Sequence, residues 1–238
     1  MSDASDLHPF QQWVDAARPR HQLWRTLLGL LLITVVWFIW TFALILIAIG
    51  SNLIDANSFR VMFGMAESQL SYAQTVAVLL VALATIWGFA IGVWAVLKLL
   101  HKRQLDTLGA WNRRFSMSQF GIGCAIAAGY LAVSLTWSIV SGNAPRRSEL
   151  ETATWLLTLG PIALIIFMQA ASEELIFRGY LPQQLAARFS NPIVWGFLPS
   201  LAFGFMHAAN SPENQTYAVY YVVIAAVMGM VMLAMVWR

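Results

Sequence analysis

Residues 155–178 read WLLTLGPIALIIFMQAASEELIFR. Trp155 to Ala171 is an almost unbroken apolar run, and a membrane-spanning helix needs about 20 such residues. The run ends in Ser172, Glu173, Glu174 and, four positions on, Arg178. Adjacent acids and an arginine at the end of a membrane helix are costly in lipid, so they must face a partner, a cavity or water.

Outward from this stretch, the 238-residue chain is 59% hydrophobic and 11% charged, whereas a soluble domain carries about 25% charge. The expected class is an all-α, polytopic membrane bundle. Six spans are expected: Leu27–Ile49, Ala73–Leu99, Ser118–Val140, Trp155–Phe177, a short Ile193–Ala209 containing Pro199, and Tyr217–Trp237. Residues 1–23 read as a polar cytoplasmic segment, 24–104 as N-terminal membrane helices and 105–238 as the core. The start lacks the short apolar core and small-residue cleavage site of a secretory signal, so the first helix is expected to remain as an anchor.

With the N-terminus inside and the spans alternating, only Arg60, Arg146 and Arg147 of the 14 basic residues fall outside. The positive-inside rule therefore orients the chain in the cell membrane with a cytoplasmic N-terminus. The net charge of +3 argues topology, not nucleic-acid binding. Cys124, the single cysteine, reads as a small core residue. Gly121, Gly123 and Gly129 are expected to admit a close neighbouring helix. Ser116 or Ser118 is the expected N-cap of the third span. Leu181–Phe189 carries Leu181, Leu185 and Phe189 opposite Gln183, Gln184 and Arg188, the pattern of an amphipathic helix lying in the interface.

Helical spacing separates the two glutamates. Glu174 and Arg178 lie four apart on one face and can pair. Glu173 is turned about 100° from Glu174, and its same-face partner is Gln169. Glu173 is thus the acid left for water, a candidate general base. The bland alternative is that both acids only neutralise Arg178 at a helix end. The second chemical group is His207, in Phe203-Gly204-Phe205-Met206-His207. It shares a polar edge with Ser200 and Asn210, and Gly204 lets a neighbouring helix approach. The plain reading of such a histidine is a ring bonded to a backbone carbonyl. His8, His21 and His101 read as solvated. There is no H-E-x-x-H and no G-x-S-x-G. Glu173 and His207 supply two metal ligands where a catalytic zinc wants three, so no metal or cofactor is expected. Trp195, Tyr217, Tyr220, Tyr221 and Trp237 read as interface anchors or core.

The run Glu173-Glu174-x-x-x-Arg178-Gly179-Tyr180-Leu181 resembles the E-E-x-x-x-R motif of the CAAX protease and bacteriocin-processing family. These are intramembrane glutamic endopeptidases, also described as type II CAAX prenyl proteases or Abi proteins. Phe203-x-x-x-His207 resembles the family's F-x-x-x-H motif, with matching order and gap. Leu108-Gly109-Ala110-Trp111-Asn112-Arg113-Arg114 is similar to a segment found before the family's core, so the resemblance covers roughly residues 105–238. It implies that Glu173 activates a hydrolytic water, that Glu174 and Arg178 support that helix, and that His207 helps bind the water or the oxyanion. The implied partners are a peptide or protein substrate at the membrane and the lipid bilayer, with no nucleic acid. The family's third motif, a histidine followed four residues later by Asn or Asp, has no counterpart after His207. The expectation is a chain cut just before it. A missing oxyanion donor would cost roughly 10²–10³-fold in rate. The alternative is a non-catalytic immunity or scaffold protein that keeps the bundle.

One tension follows from helix geometry. Glu173 is expected near the cytoplasmic end of the fourth span, while His207 lies roughly 21 Å into the fifth. A straight fifth span would keep them apart, unless it bends at Pro199 or Leu181–Phe189 dips into the bilayer.

Overall fold

The computed structural model describes residues 8–63, 65, 70–109, 116–144, 151–208 and 215–237, and every regular element among them is helical. Two compact units are distinguished: Met1–Arg113 with Ile162–Arg238, and Arg114–Pro161. Arg113, Arg114, Arg146, Arg147, Asn210 and Arg238 of the sequence reading lie outside the described residues.

The second unit holds α6 (Met117–Val140) and the beginning of α7 (Thr152–Glu174). Ser116 is the N-cap of α6, as expected, its Oγ accepting from the Gln119 N–H at 3.3 Å. Within this unit Cys124 is exposed, and a Cβ at Gly121, Gly123 or Gly129 would meet nothing within 4 Å.

The first unit opens with α1 (Pro9–Asp15) and a 3₁₀ turn (Arg18–Arg20). The polar N-terminal segment is docked, with Trp13, Val14 and Ala17 buried. Next come α2 (Leu23–Gly50), α3 (Ala56–Met62), α4 (Tyr72–Thr85) and α5 (Trp87–Val96), the last extended by a π turn at Leu97–His101. A 3₁₀ turn, Leu105–Leu108, follows. α2 packs along α5 at glycine notches. A Cβ at Gly88 would stand 2.8 Å from Trp37 Cα, and one at Gly92 would stand 2.9 Å from Ile33 Cα. Backbone-to-backbone approach of this kind is how membrane helices gain van der Waals contact. Gly92→Ala is therefore expected to destabilise the purified protein by about 2 kcal/mol. Thermal unfolding in detergent gives the check.

α7 continues without a break through a π turn (Leu175–Tyr180) into α8 (Leu181–Ala186), giving one 35-residue helical rod, Thr152–Ala186. A second π turn (Ile193–Phe197) leads into α9 (Leu198–Met206), and α10 (Gln215–Trp237) packs on α9. Six apolar helices thus stand where six spans were expected. Four are long enough to cross a membrane: Leu23–Gly50, Tyr72–His101, Met117–Val140 and Thr152–Ala186. Ile193–Met206 is about 21 Å long, short of a hydrocarbon core of roughly 30 Å.

The reading of Leu181–Phe189 as a separate interfacial helix is corrected. Residues 181–186 prolong α7, and the face taken for its solvated side is the inner one. Gln183 and Gln184 are almost wholly buried. Polar side chains can face inward here because other chain segments bring them hydrogen-bond partners.

Candidate functional site

The lengthened rod removes the depth problem between Glu173 and His207. From Glu173 the rod runs on roughly 20 Å to Ala186, and from Ile193 the chain returns roughly 21 Å to His207. The two groups therefore come to similar depth on neighbouring helices, with α9 packed against the Leu175–Tyr180 turn.

On the rod, Gln169 Nε2 donates to Glu173 Oε1 at 2.7 Å. Arg178 Nη1 lies 3.1 Å from Glu174 Oε1, an ion pair between a guanidinium that is 8% exposed and a carboxylate that is 40% exposed. The Nη1–H does not point along the line to that oxygen, and Arg178 Nε is also buried without a hydrogen-bond partner. The attraction is electrostatic rather than a two-pronged fork. The π turn begins one residue after Glu174, with Leu181 N–H reaching back to the Ile176 carbonyl. Such turns interrupt the regular ladder and often accompany functional positions.

The two motif segments meet through their aromatic residues. Arg178 Cζ sits 3.8 Å over the Phe203 ring, a cation–π contact. Phe177 meets Phe203 edge-on, with ring centroids 5.4 Å apart, and Phe203 packs on His207 at 4.4 Å. His207 Nδ1 is 2.9 Å from the Phe203 carbonyl oxygen. That contact assigns the proton to Nδ1 and leaves Nε2 for water or a ligand. His207 and Arg178 both act electrostatically on Glu173. No direct hydrogen bond or ion pair joins Glu173 to His207 among the described residues. Gly204 fixes the placement of α9, since a Cβ there would stand 2.4 Å from the Val222 carbonyl oxygen and 3.1 Å from Ala226 Cβ of α10. Gly229, also on α10, faces Ser200 and Arg178.

The geometry now permits comparison with known proteins. The family model described as type II CAAX prenyl endopeptidase Rce1-like matches residues 154–238, which contain every residue just described. This segment is similar to that family. The chain is also similar to the uncharacterized protein YyaK of Bacillus subtilis (strain 168), with 28% identity over 137 residues, 57% of this chain and 46% of that protein. The chain thus spans about half the length of that curated relative. No solved structure matches.

A polar network that the sequence reading missed anchors the far end of the rod that carries Glu173. Gln183 Nε2 donates to the Trp13 and Thr107 carbonyls, each at 2.7 Å, and Gln183 Oε1 accepts from Arg103 Nη1. Trp13 Nε1 donates to the Leu108 carbonyl at 3.2 Å. His101, expected to be solvated, is buried. Its Nε2 meets the Tyr180 hydroxyl at 3.1 Å, and its Nδ1 meets the Arg20 carbonyl at 3.2 Å and Gln184 Nε2 at 3.1 Å. The only signal in the sequence was two adjacent glutamines, and those alone read as a wet face. Gln183→Leu would orphan two buried carbonyls and one guanidinium N–H. A loss of about 3 kcal/mol is expected, measurable as a lower denaturation midpoint.

Proposed function

We propose that the chain is an intramembrane endopeptidase in which Glu173 activates water for direct attack on a peptide carbonyl. The observation that carries this reading is the division of labour on the rod. Arg178 pairs with Glu174, while Glu173 makes its one hydrogen bond among the described residues to Gln169 and lies in the field of both His207 and Arg178. In the proposed step the Glu173 carboxylate takes a proton from water as the water oxygen bonds to the carbonyl carbon. The carbonyl oxygen becomes an oxyanion, and the proton passes from Glu173 to the leaving amine as the C–N bond breaks. With its proton on Nδ1, His207 Nε2 accepts from the second O–H of the attacking water and orients it. Glu174, Arg178 and Phe203 act as positioning residues that lock the rod to α9. No covalent intermediate is required.

The substrate is a peptide or protein segment at the membrane, entering beside the bundle from the cytoplasmic leaflet, with the N-terminus of the chain on the same side. The basic-residue distribution supports that side. In the second reading, the chain is a non-catalytic membrane scaffold or immunity protein, and the stacking of Arg178 on Phe203 favours it. There, Glu174–Arg178–Phe203 is a structural clamp and Glu173 has no chemical duty. Comparing membrane-protein termini in cells producing the intact chain with those producing Glu173→Gln separates the readings. The peptidase leaves a set of cleaved termini that the variant lacks at equal abundance. Identical termini would leave the scaffold.

A further inference from the structure

The end of the bundle away from Glu173 carries a second built site. Arg20, His101, Lys102 and Arg103 line a cavity of about 240 Å³, closed by Ala17 and Pro19 of the N-terminal turn. Three of the lining side chains are cationic at neutral pH, and among the described residues none of the three pairs with a carboxylate. The neighbouring acid, Asp15, is taken by Arg18. Arg103 spends Nη1 on Gln183 and Thr107. Its Nε and Nη2 are buried without a hydrogen-bond partner. Uncompensated burial of a guanidinium is unfavourable, and it pushes Arg103 down to about 10, still charged at neutral pH. Lys102 holds a left-handed backbone, φ 54°, which a non-glycine residue adopts at a cost.

The location identifies the anion. The cavity sits where α2 begins and the α5 extension ends, so it lies at the mouth of two spanning helices. Arg25 stacks on Trp24 at 4.7 Å and Lys98 on Trp94 at 5.1 Å, and both indoles are about half exposed. Tryptophan–cation pairs of this kind settle at headgroup level. Basic pockets between membrane helices at that level suit anionic headgroups.

We propose that this cavity binds the phosphate of an anionic phospholipid, held by Lys102 and Arg20, with the buried charge of Arg103 adding attraction from behind the lining. Because Arg103 also holds Gln183, the bound lipid braces the end of the rod that carries Glu173.

The test uses the full chain in neutral detergent, titrated with short-chain phosphatidylglycerol, short-chain phosphatidylcholine or inorganic phosphate, and binding read by native mass spectrometry and calorimetry. Phosphatidylglycerol should bind saturably with one-to-one stoichiometry, and phosphatidylcholine more weakly. Arg20→Gln and Lys102→Gly should each weaken phosphatidylglycerol roughly tenfold, and Arg188→Gln, an exposed control, should leave it unchanged. Lys102→Gly also relieves the left-handed backbone, so it folds at least as well as the parent and its loss of binding reports the charge. Equal affinity for the two lipids, or variants indistinguishable from the parent, would overturn the proposal. Inorganic phosphate binding as tightly as the lipid would assign the cavity to soluble phosphates and overturn the lipid reading.

Discussion

Glu173→Gln in the purified, reconstituted chain is expected to lower peptide hydrolysis by roughly 10²–10⁴-fold, the usual worth of a positioned general base. The amide is nearly isosteric, and its Oε1 can still accept from Gln169 Nε2, the one hydrogen bond the carboxylate makes on the rod. Melting temperature should therefore hardly move. Glu174→Gln should show the opposite split. It removes the charge opposite Arg178, whose guanidinium is almost fully buried. Stranding a buried cation costs about 3–5 kcal/mol when the partner is equally enclosed. Glu174 is 40% exposed, so water recovers part of this, and about 2 kcal/mol is expected. One variant that loses rate and keeps stability, beside a neighbour that loses stability first, is a pattern a purely structural clamp cannot produce. If Glu173→Gln cleaves as fast as the parent, the proposed chemistry fails.

Gly204→Val is expected to disable the protein through packing alone. The added Cβ would stand 2.4 Å from the Val222 carbonyl oxygen, a backbone atom of α10 that no rotamer change can move. Relief requires α9 and α10 to separate. Overpacking usually costs about 1–3 kcal/mol, and a backbone clash belongs at the upper end. Phe203 and His207 ride on α9, so the contacts Arg178–Phe203 and Phe177–Phe203 loosen together and activity falls with stability. Gly204→Ala should be milder but of the same sign. A thermal melt and an activity assay on both variants give the check; a Gly204→Val protein as stable as the parent would contradict the helix contact itself.

Much of the candidate site was legible because it is local. Residues four apart on one helix face meet whatever the tertiary fold does, so the pairs Gln169–Glu173 and Glu174–Arg178 followed from spacing. Ser116 as a cap and Gly204 as a point of close approach were legible for the same reason, since each depends on its own backbone or missing side chain. The errors share a different cause. Gln183 and Gln184 read as a solvated face because water is the default partner of an amide. Their real partners are carbonyls of Trp13 and Thr107, a guanidinium from Arg103 and the ring of His101, all far away in sequence. His101 was misread for the same reason.

The sequence by itself determined a membrane bundle, six apolar helices, and the separation of a paired glutamate from a differently engaged one. Hydrophobic length and the 3.6-residue helical repeat are one-dimensional properties, so they survive translation into structure. Only the tertiary structure decided that α7 runs on to Ala186 and that α9 packs against the turn following Glu174. Whether a polar stretch ends a helix or extends it depends on which distant groups arrive to satisfy its hydrogen bonds, and that is a property of the folded chain rather than of any segment of it.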